Sequence, residues 1–338
     1  MTRVIFVGFV AIVSASPLLF AATPAERLLE KPDPWFASEP GIEAIENVLS
    51  WQTEQGDWPK NQDTARRSFK GDRSSLQGTF DNAATTGELR LLARARRVTG
   101  DARYAMAFEK GFDHILAAQY PNGGWPQYFP LRKGYYSHIT FNDDCMIRLM
   151  RFLRDATTTD DFAFLDSHRR AAANDAIDRG IDCILKCQVV VGGTSTVWCA
   201  QHDEVTLAAS SARAYELASL SGSESAGILK FLMSLEDPNP EVIRCVNEGV
   251  TWFKSTRIDG YRYIRSGSEP NLVRDLSART LWARFYEIES NRPIFCDRDG
   301  MLKYDIEQIG SERRVGYAWY GNWGESLLRV HAKWPHGY

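Results

Sequence analysis

One short pattern occurs twice in this chain and limits the folds open to it. Gly56-Asp57-Trp58-Pro59-Lys60-Asn61 is echoed by Gly123-Gly124-Trp125-Pro126-Gln127-Tyr128, and Thr79-Phe80-Asp81-Asn82 by Thr140-Phe141-Asn142-Asp143-Asp144. The two offsets, from 58 to 125 and from 79 to 140, differ only by a loop's length. A third, weaker copy runs through Trp198, Gln201 and Asp203. Each unit reads as a helix ending near a glutamine, a Gly-Trp-Pro loop, a variable loop, and Phe-Asp at the entrance of the next helix. Helical hairpins of this size cannot bury their apolar faces alone, so they stack or close into a ring. A ring would bring the Trp-Pro loops and the Phe-Asp helix starts to one end, lining a common cleft. An open solenoid is the competing arrangement and suits so few repeats less well.

Between these loops the apolar residues recur every three or four positions, as on one face of a helix. Leu89, Leu92 and Ala93 lie in one run that breaks at Gly100. Tyr104, Phe108, Phe112, Ile115 and Leu116 lead a second, and Met146, Leu149, Met150 and Leu153 a third. Segments 171–187 and 241–253 continue the pattern. Strand-like alternation is confined to Tyr261-Arg262-Tyr263-Ile264, so the residues predict an all-α fold. Segments 61–78 and 189–203 lack periodicity and read as long loops over the cleft, where function tends to sit.

The amino terminus is a separate problem. Arg3 precedes an apolar run, Val4 to Phe20, that ends in small residues between Ala21 and Ala25, the pattern of a secretory signal peptide. An uncleaved anchor is the alternative, but Ser14, Ser16 and Pro17 interrupt the run. Residues 1–25 are therefore expected to be removed and 26–338 to form a single catalytic domain. That domain is expected to be exported, periplasmic or secreted, monomeric, and without stable membrane association. The 338 residues carry 40 Lys and Arg against 43 Asp and Glu, a net charge of −3, which argues against broad nucleic-acid affinity. It leaves room for a polyanionic ligand held by a local arginine cluster. Six cysteines without a Cys-x-x-Cys pair give no zinc ribbon or thioredoxin motif, and buried free thiols are the preferred reading.

Asp81 and Asp143 are the centre of the chemical argument. One aspartate at a helix entrance is ordinarily a cap for free backbone N–H groups. These two recur in matching repeats, and each has further oxygen donors beside it, Asn82 for one and Asn142 and Asp144 for the other. Carboxylate and amide oxygens are the hard donors that calcium prefers. No EF-hand spacing is present, so such a site would be assembled from distant loops. Arginine is the second theme: Arg213 in Ser211-Ala212-Arg213-Ala214-Tyr215-Glu216, read as a helix start, then Arg279, Arg284, Arg292, Arg298, Arg313 and Arg314. Most surface arginines are simply solvated charges, but Arg298 sits in a turn-like Asp-Arg-Asp-Gly, and Lys60 follows Trp58-Pro59 on the presumed cleft loop. His202-Asp203-Glu204 matches no zinc spacing, and Ser221-Gly222-Ser223-Glu224-Ser225 is not a nucleophile elbow.

These motifs, with Trp-Cys-Ala-Gln-His-Asp at 198–203, Ser-Leu-Ser-Gly-Ser-Glu-Ser at 219–225 and Arg-Phe-Tyr-Glu-Ile at 284–288, resemble the polysaccharide lyase family 10 pectate lyases from about residue 47 to 325. The resemblance implies an α/α toroid, an incomplete barrel of helical hairpins, that cleaves polygalacturonate by calcium-assisted β-elimination. Carried over by residue, it implies Asp81 and Asp143, with Asn82 nearby, around Ca2+, Arg213 as the base, and Lys60, Arg284 and Arg298 on the substrate carboxylates. From the residues themselves, Asp144 joins the expected metal ligands as the oxygen donor beside Asp143, and Trp58 and Trp125 on the repeated loops are expected to bind the substrate. Asn82 is followed here by Ala83, where the family more often carries glycine. Arginine holds its proton to above pH ~12, so Lys60 is the simplest rival base. Two other functions stay open: an inverting glycosidase using Asp81 and Asp143, which would give saturated products without calcium, and a non-catalytic uronate-binding protein.

Overall fold

The computed structural model describes residues 22–264 and 271–337. The expected signal segment lies, as far as position 21, outside them. Eleven α-helices are described: α1 Pro24–Arg27, α2 Asp33–Phe36, α3 Glu39–Ser50, α4 Thr86–Thr99, α5 Ala102–Ala117, α6 Cys145–Thr158, α7 Ser167–Cys187, α8 Glu224–Leu232, α9 Pro240–Ser255, α10 Ser311–Gly316 and α11 Trp323–His331. The pairs α4–α5, α6–α7 and α8–α9 are hairpins. Their first members pack side by side as one row and their second members as another. Helices α1 to α3 cover α4, and α11 covers α8 and α9. Among the described residues no helix is long and apolar enough to cross a membrane.

The helices form for legible reasons. Asp101 caps α5 through its bond to the Arg103 N–H, Asp166 caps α7 and Asn239 caps α9, while Gly100 closes α4 in the left-handed conformation. Tyr104, Phe108, Phe112 and Ile115 form the buried stripe of α5. Phe108 meets Phe112, Phe152 and Phe162 at ring-centroid distances of 5.6–6.0 Å, which ties α5 to α6. Each buried aromatic of this kind contributes about 2–3 kcal/mol of transfer free energy.

The expectation of an all-α toroid is corrected. Helix accounts for about 47% of the described residues and strand for 10%. The described strands form six two-stranded antiparallel sheets, of which Tyr261–Ile264 with Asn271–Arg274 is the longest. The other five pair two residues each, and three of them join the interhelical loops: Ile139–Thr140 with Gln201–His202, Leu220–Ser221 with Phe285–Tyr286, and Trp282–Ala283 with Tyr320–Gly321. A two-residue strand has no alternation to read, which is why periodicity misses it. Ser211 to Glu216, expected to start a helix, is a tight turn closed by the Glu216 N–H on the Arg213 carbonyl.

The repeat itself is extended by the structure. Trp58, Trp125, Trp198 and Trp282 each donate the indole N–H to a carbonyl in the preceding helix: Val48 at 2.8 Å, Ile115 at 2.9 Å, Ile184 at 2.7 Å and Phe253 at 2.9 Å. Gln52, Gln119 and Gln188 each bridge from their helix end to their own loop and to the next outer helix. Gly56 and Gly123 are required where they stand. Both have positive φ, and a Cβ would lie 2.7 Å from the Lys110 carbonyl oxygen in one case and 1.9 Å from that of Arg179 in the other.

Candidate active site

The loops that follow the four tryptophans are stitched laterally. The residue two past each of the last three tryptophans accepts a bond from the previous repeat: Gln127 from Phe80 N–H, Ala200 from Phe141 N–H, and Arg284 from Gly222 N–H. The entrances of α4, α6 and α8 therefore lie next to one another. They present, in turn, Asp81 with Asn82, Asn142 with Asp143, and Glu224.

At the first entrance Asp81 is buried beneath Lys60. Its Oδ2 accepts from the Lys60 ammonium and, at 2.7 Å, from Gln127 Nε2. Its Oδ1 is buried and has no hydrogen-bond donor. Burial works against the Lys60 charge, but Asp81 outweighs it and holds the lysine pKa above its ordinary value. The chain then turns through positive φ at Asn82 (54°) and Ala83 (61°), and the second entrance repeats the turn at Asp143 (52°) and Asp144 (59°). The equivalence is thus Asp81 with Asn142 and Asn82 with Asp143, which corrects the pairing of Asp81 with Asp143. The left-handed angle at Ala83 also explains why glycine would suit that position.

Asp143 shares Arg284 with Glu224. The buried guanidinium donates to Asp143 Oδ1 at 3.2 Å, to Asn142 Oδ1 at 3.4 Å and to Glu224 Oε1. Glu224 is fully buried and also accepts from Ser221 Oγ. Desolvation raises its pKa, and Arg284 opposes the rise. Lys60, Asn82, Asp143 and Arg148 line one cleft of about 440 Å³. Asp144 stands apart from this group. Its Oδ1 occupies the space that a side chain on Gly227 of α8 would need, among Arg151, Arg148 and Lys230, and burial raises its pKa.

From Arg284 the site runs on to Arg213. Arg284 lies 4.9 Å from the centroid of the Tyr317 ring, and Tyr317 donates to Glu216 Oε1 at 2.7 Å. Glu216 in turn grips Arg213 through Nε at 2.7 Å and through Nη2. Burial disfavours the Arg213 charge, but the Glu216 carboxylate more than compensates, so its pKa stands above the ordinary arginine value. Tyr215 packs under Arg213, Arg313 and Arg298 at 5.1, 4.6 and 5.8 Å from its ring centroid. Arg298 itself is well exposed and paired with Glu312 at 3.0 Å.

Trp58 and Trp125 do not belong to the cleft. Both are 0% exposed, with their rings in the core, so neither offers a face to a sugar. All six cysteines are buried and free. His202 is buried between the Cys199 N–H and the Leu207 carbonyl, and desolvation lowers its pKa to about 4. The residues that sequence reasoning missed are Gln127, Glu216, Glu224 and Tyr317. Glu224 and Gln127 had a signal in the repeat, three residues after Ser221 and two after Trp125. The other two are recognised only through partners, 3 residues away in one case and 101 in the other.

Comparison with known proteins decides the family. The family model for pectic acid lyase matches residues 52–328. This chain belongs to the pectic acid lyase family. A family 10 polysaccharide lyase from Cellvibrio cellulosa is 36% identical over 93% of this chain and 97% of its own, with a TM-score of 0.82. An aspartate-to-alanine mutant of a family 10 lyase from the same organism, in complex with trigalacturonic acid, is also 36% identical, over 94% of this chain and 99% of that one, at the same TM-score. No curated protein matches the chain. The protein is accordingly an enzyme, a polysaccharide lyase of family 10.

Proposed function

We propose that this lyase cleaves polygalacturonate by β-elimination, with Ca2+ held at Asp81, Asn82 and Asp143 and Arg213 as the base. The observation that carries the reading is the lone Oδ1 of Asp81, a buried carboxylate oxygen without a donor. Leaving such an atom unpaired costs about 1–3 kcal/mol or more, and a hard cation satisfies it. Asn82 and Asp143, on the cleft wall, add oxygen donors of the same kind. Bound there, calcium would neutralise a uronate carboxylate and stabilise the enolate-like charge that develops beside it. The complex of the Cellvibrio lyase with trigalacturonic acid supports a galacturonan as substrate.

The chain's own groups then have distinct tasks. Lys60 and Gln127 fix the Asp81 carboxylate through Oδ2, and Arg284, anchored by Glu224, fixes Asp143. Arg213 takes the C5 proton, the C5–H electron pair forms the C4=C5 double bond conjugated with the carboxylate, and the C4–O bond breaks as the leaving oxygen takes a proton from water. Glu216 presents Arg213 but also strengthens its hold on its proton. A neutral guanidine therefore requires release from Glu216, and an alkaline optimum follows. A hydrolase reading is less well supported, because Asp81 and Asp143 are both ion-paired with cations and neither is set up as a general acid.

The base is tested by Arg213→Ala and Lys60→Ala under saturating polygalacturonate and calcium. Removing a general base costs about 10²–10⁴ in rate. That loss in kcat is expected for Arg213→Ala with KM little changed, and a smaller loss for Lys60→Ala. A fully active Arg213→Ala enzyme beside an inactive Lys60→Ala one would move the role to Lys60.

A further inference from the structure

Arginines 213, 284, 298 and 313 each have a carboxylate partner in the fold, Glu216, Glu224 with Asp143, and Glu312 for the last two. Arg132 does not. Among the described residues it makes neither an ion pair nor a hydrogen bond. Its guanidinium lies 4.6 Å from the centroid of the Tyr128 ring and 4.6 Å from that of Tyr136, two rings set nearly perpendicular at 5.3 Å. The residue is half-buried. Contact with aromatic faces holds the planar cation in place and leaves its N–H edge free, the edge that pairs bidentately with a carboxylate.

The clamp is wired to the candidate site at both ends. Gln127, next to Tyr128, donates to Asp81 and takes its backbone bond from its own N–H to the Tyr136 carbonyl at 3.1 Å. Lys60 Nζ lies 6.0 Å from the Tyr128 ring centroid. At the other end Tyr135 packs against Tyr136 with ring centroids 4.1 Å apart and the planes tilted by 35°, and it feels the charges of Arg213 and Glu216. A cation without an internal partner thus stands between the Lys60–Asp81 pair and the Arg213–Glu216 pair.

Resting on the galacturonan reading above, we propose that Arg132 binds the carboxylate of a uronate residue neighbouring the one that is cleaved. It acts in substrate binding and in preference for the unesterified polymer, not in the proton transfer. Loss of one charge-assisted contact of this kind corresponds to about tenfold in affinity or more. Arg132→Gln is expected to raise KM for polygalacturonate about tenfold with kcat at saturation unchanged, and to lose much less on partly methyl-esterified pectin. Arg132→Lys, which keeps the charge but not the fork, should recover part of the loss, and circular dichroism of both variants reports folding. An unchanged KM, or a fall in kcat alone, would overturn the proposal. Electrophoresis through a gel containing polygalacturonate separates it from the reaction itself. Weaker retardation of Arg132→Gln supports the assignment even for an enzyme that does not cleave this polymer, and equal retardation of variant and wild type refutes it.

Discussion

At Asp81 the two oxygens of one carboxylate have opposite fates, one held by Lys60 and Gln127 and the other buried without a donor. The sequence makes this residue a candidate through its repeat position, but not this division, since Gln127 belongs to the next repeat. The same holds for the arginines. Their number is plain in the sequence, whereas the carboxylate that occupies each one, or its lack at Arg132, depends on chain segments far apart. A Trp-Pro loop on a cleft reads like a sugar platform, but the rings of Trp58 and Trp125 lie in the core with the indole N–H spent on the preceding helix. Glu88, on the floor of the cleft, carries a pH dependence of its own. It is fully buried, accepts from Thr64 Oγ1, and desolvation raises its pKa from 4.5 to about 7. Between those values the unfolded chain binds fewer protons than the fold does, so this group's contribution to stability is full below about pH 4.5 and lost as pH rises through 7. Glu88→Gln should remove that decline, gaining about 3 kcal/mol on wild type between pH 4 and pH 8. Denaturant unfolding of both proteins across that range is the check, and parallel curves would show that Glu88 titrates normally.

The unit that builds the molecule is a helix end, a tryptophan loop and the entrance of the next helix. Two copies are visible in the sequence and a third is faint. The fourth, at Trp282, is hidden because its loop is longer and its helix end lacks the glutamine. Within the unit the tryptophan is a structural pin, fully buried and bonded to the helix that precedes it. Trp125→Ala should therefore cost about 3–5 kcal/mol of stability, as large-to-small core changes do. Urea denaturation measures it. A near-normal midpoint with a raised KM would instead restore Trp125 as a sugar-binding surface.

Across the whole molecule the period of 3.6 residues makes α4, α5, α6, α7 and α9 legible, and the repeat their order, whereas the shorter helices α1 to α3, α8, α10 and α11 have fewer turns in which to show it. The two-residue strand pairs that stitch the loops could not be read, and between α9 and α11 only the strand Tyr261–Ile264 shows in the local pattern, because partners such as those of Trp282–Ala283 and Phe285–Tyr286 are distant in the chain. Yet it is this stitching that carries Asp81, Asp143 and Glu224 to adjacent helix entrances and brings Arg284 across to them. On the function proposed above, the oxygen donors at these entrances would hold a hard cation and the arginines an acidic polymer, a combination that serves elimination better than hydrolysis or simple binding. Ultraviolet absorbance of the unsaturated uronide, followed on polygalacturonate with calcium and then with chelator, tests this most directly. Absorbance that rises with calcium and stops with chelator is the predicted result, whereas new reducing ends without that absorbance would contradict it.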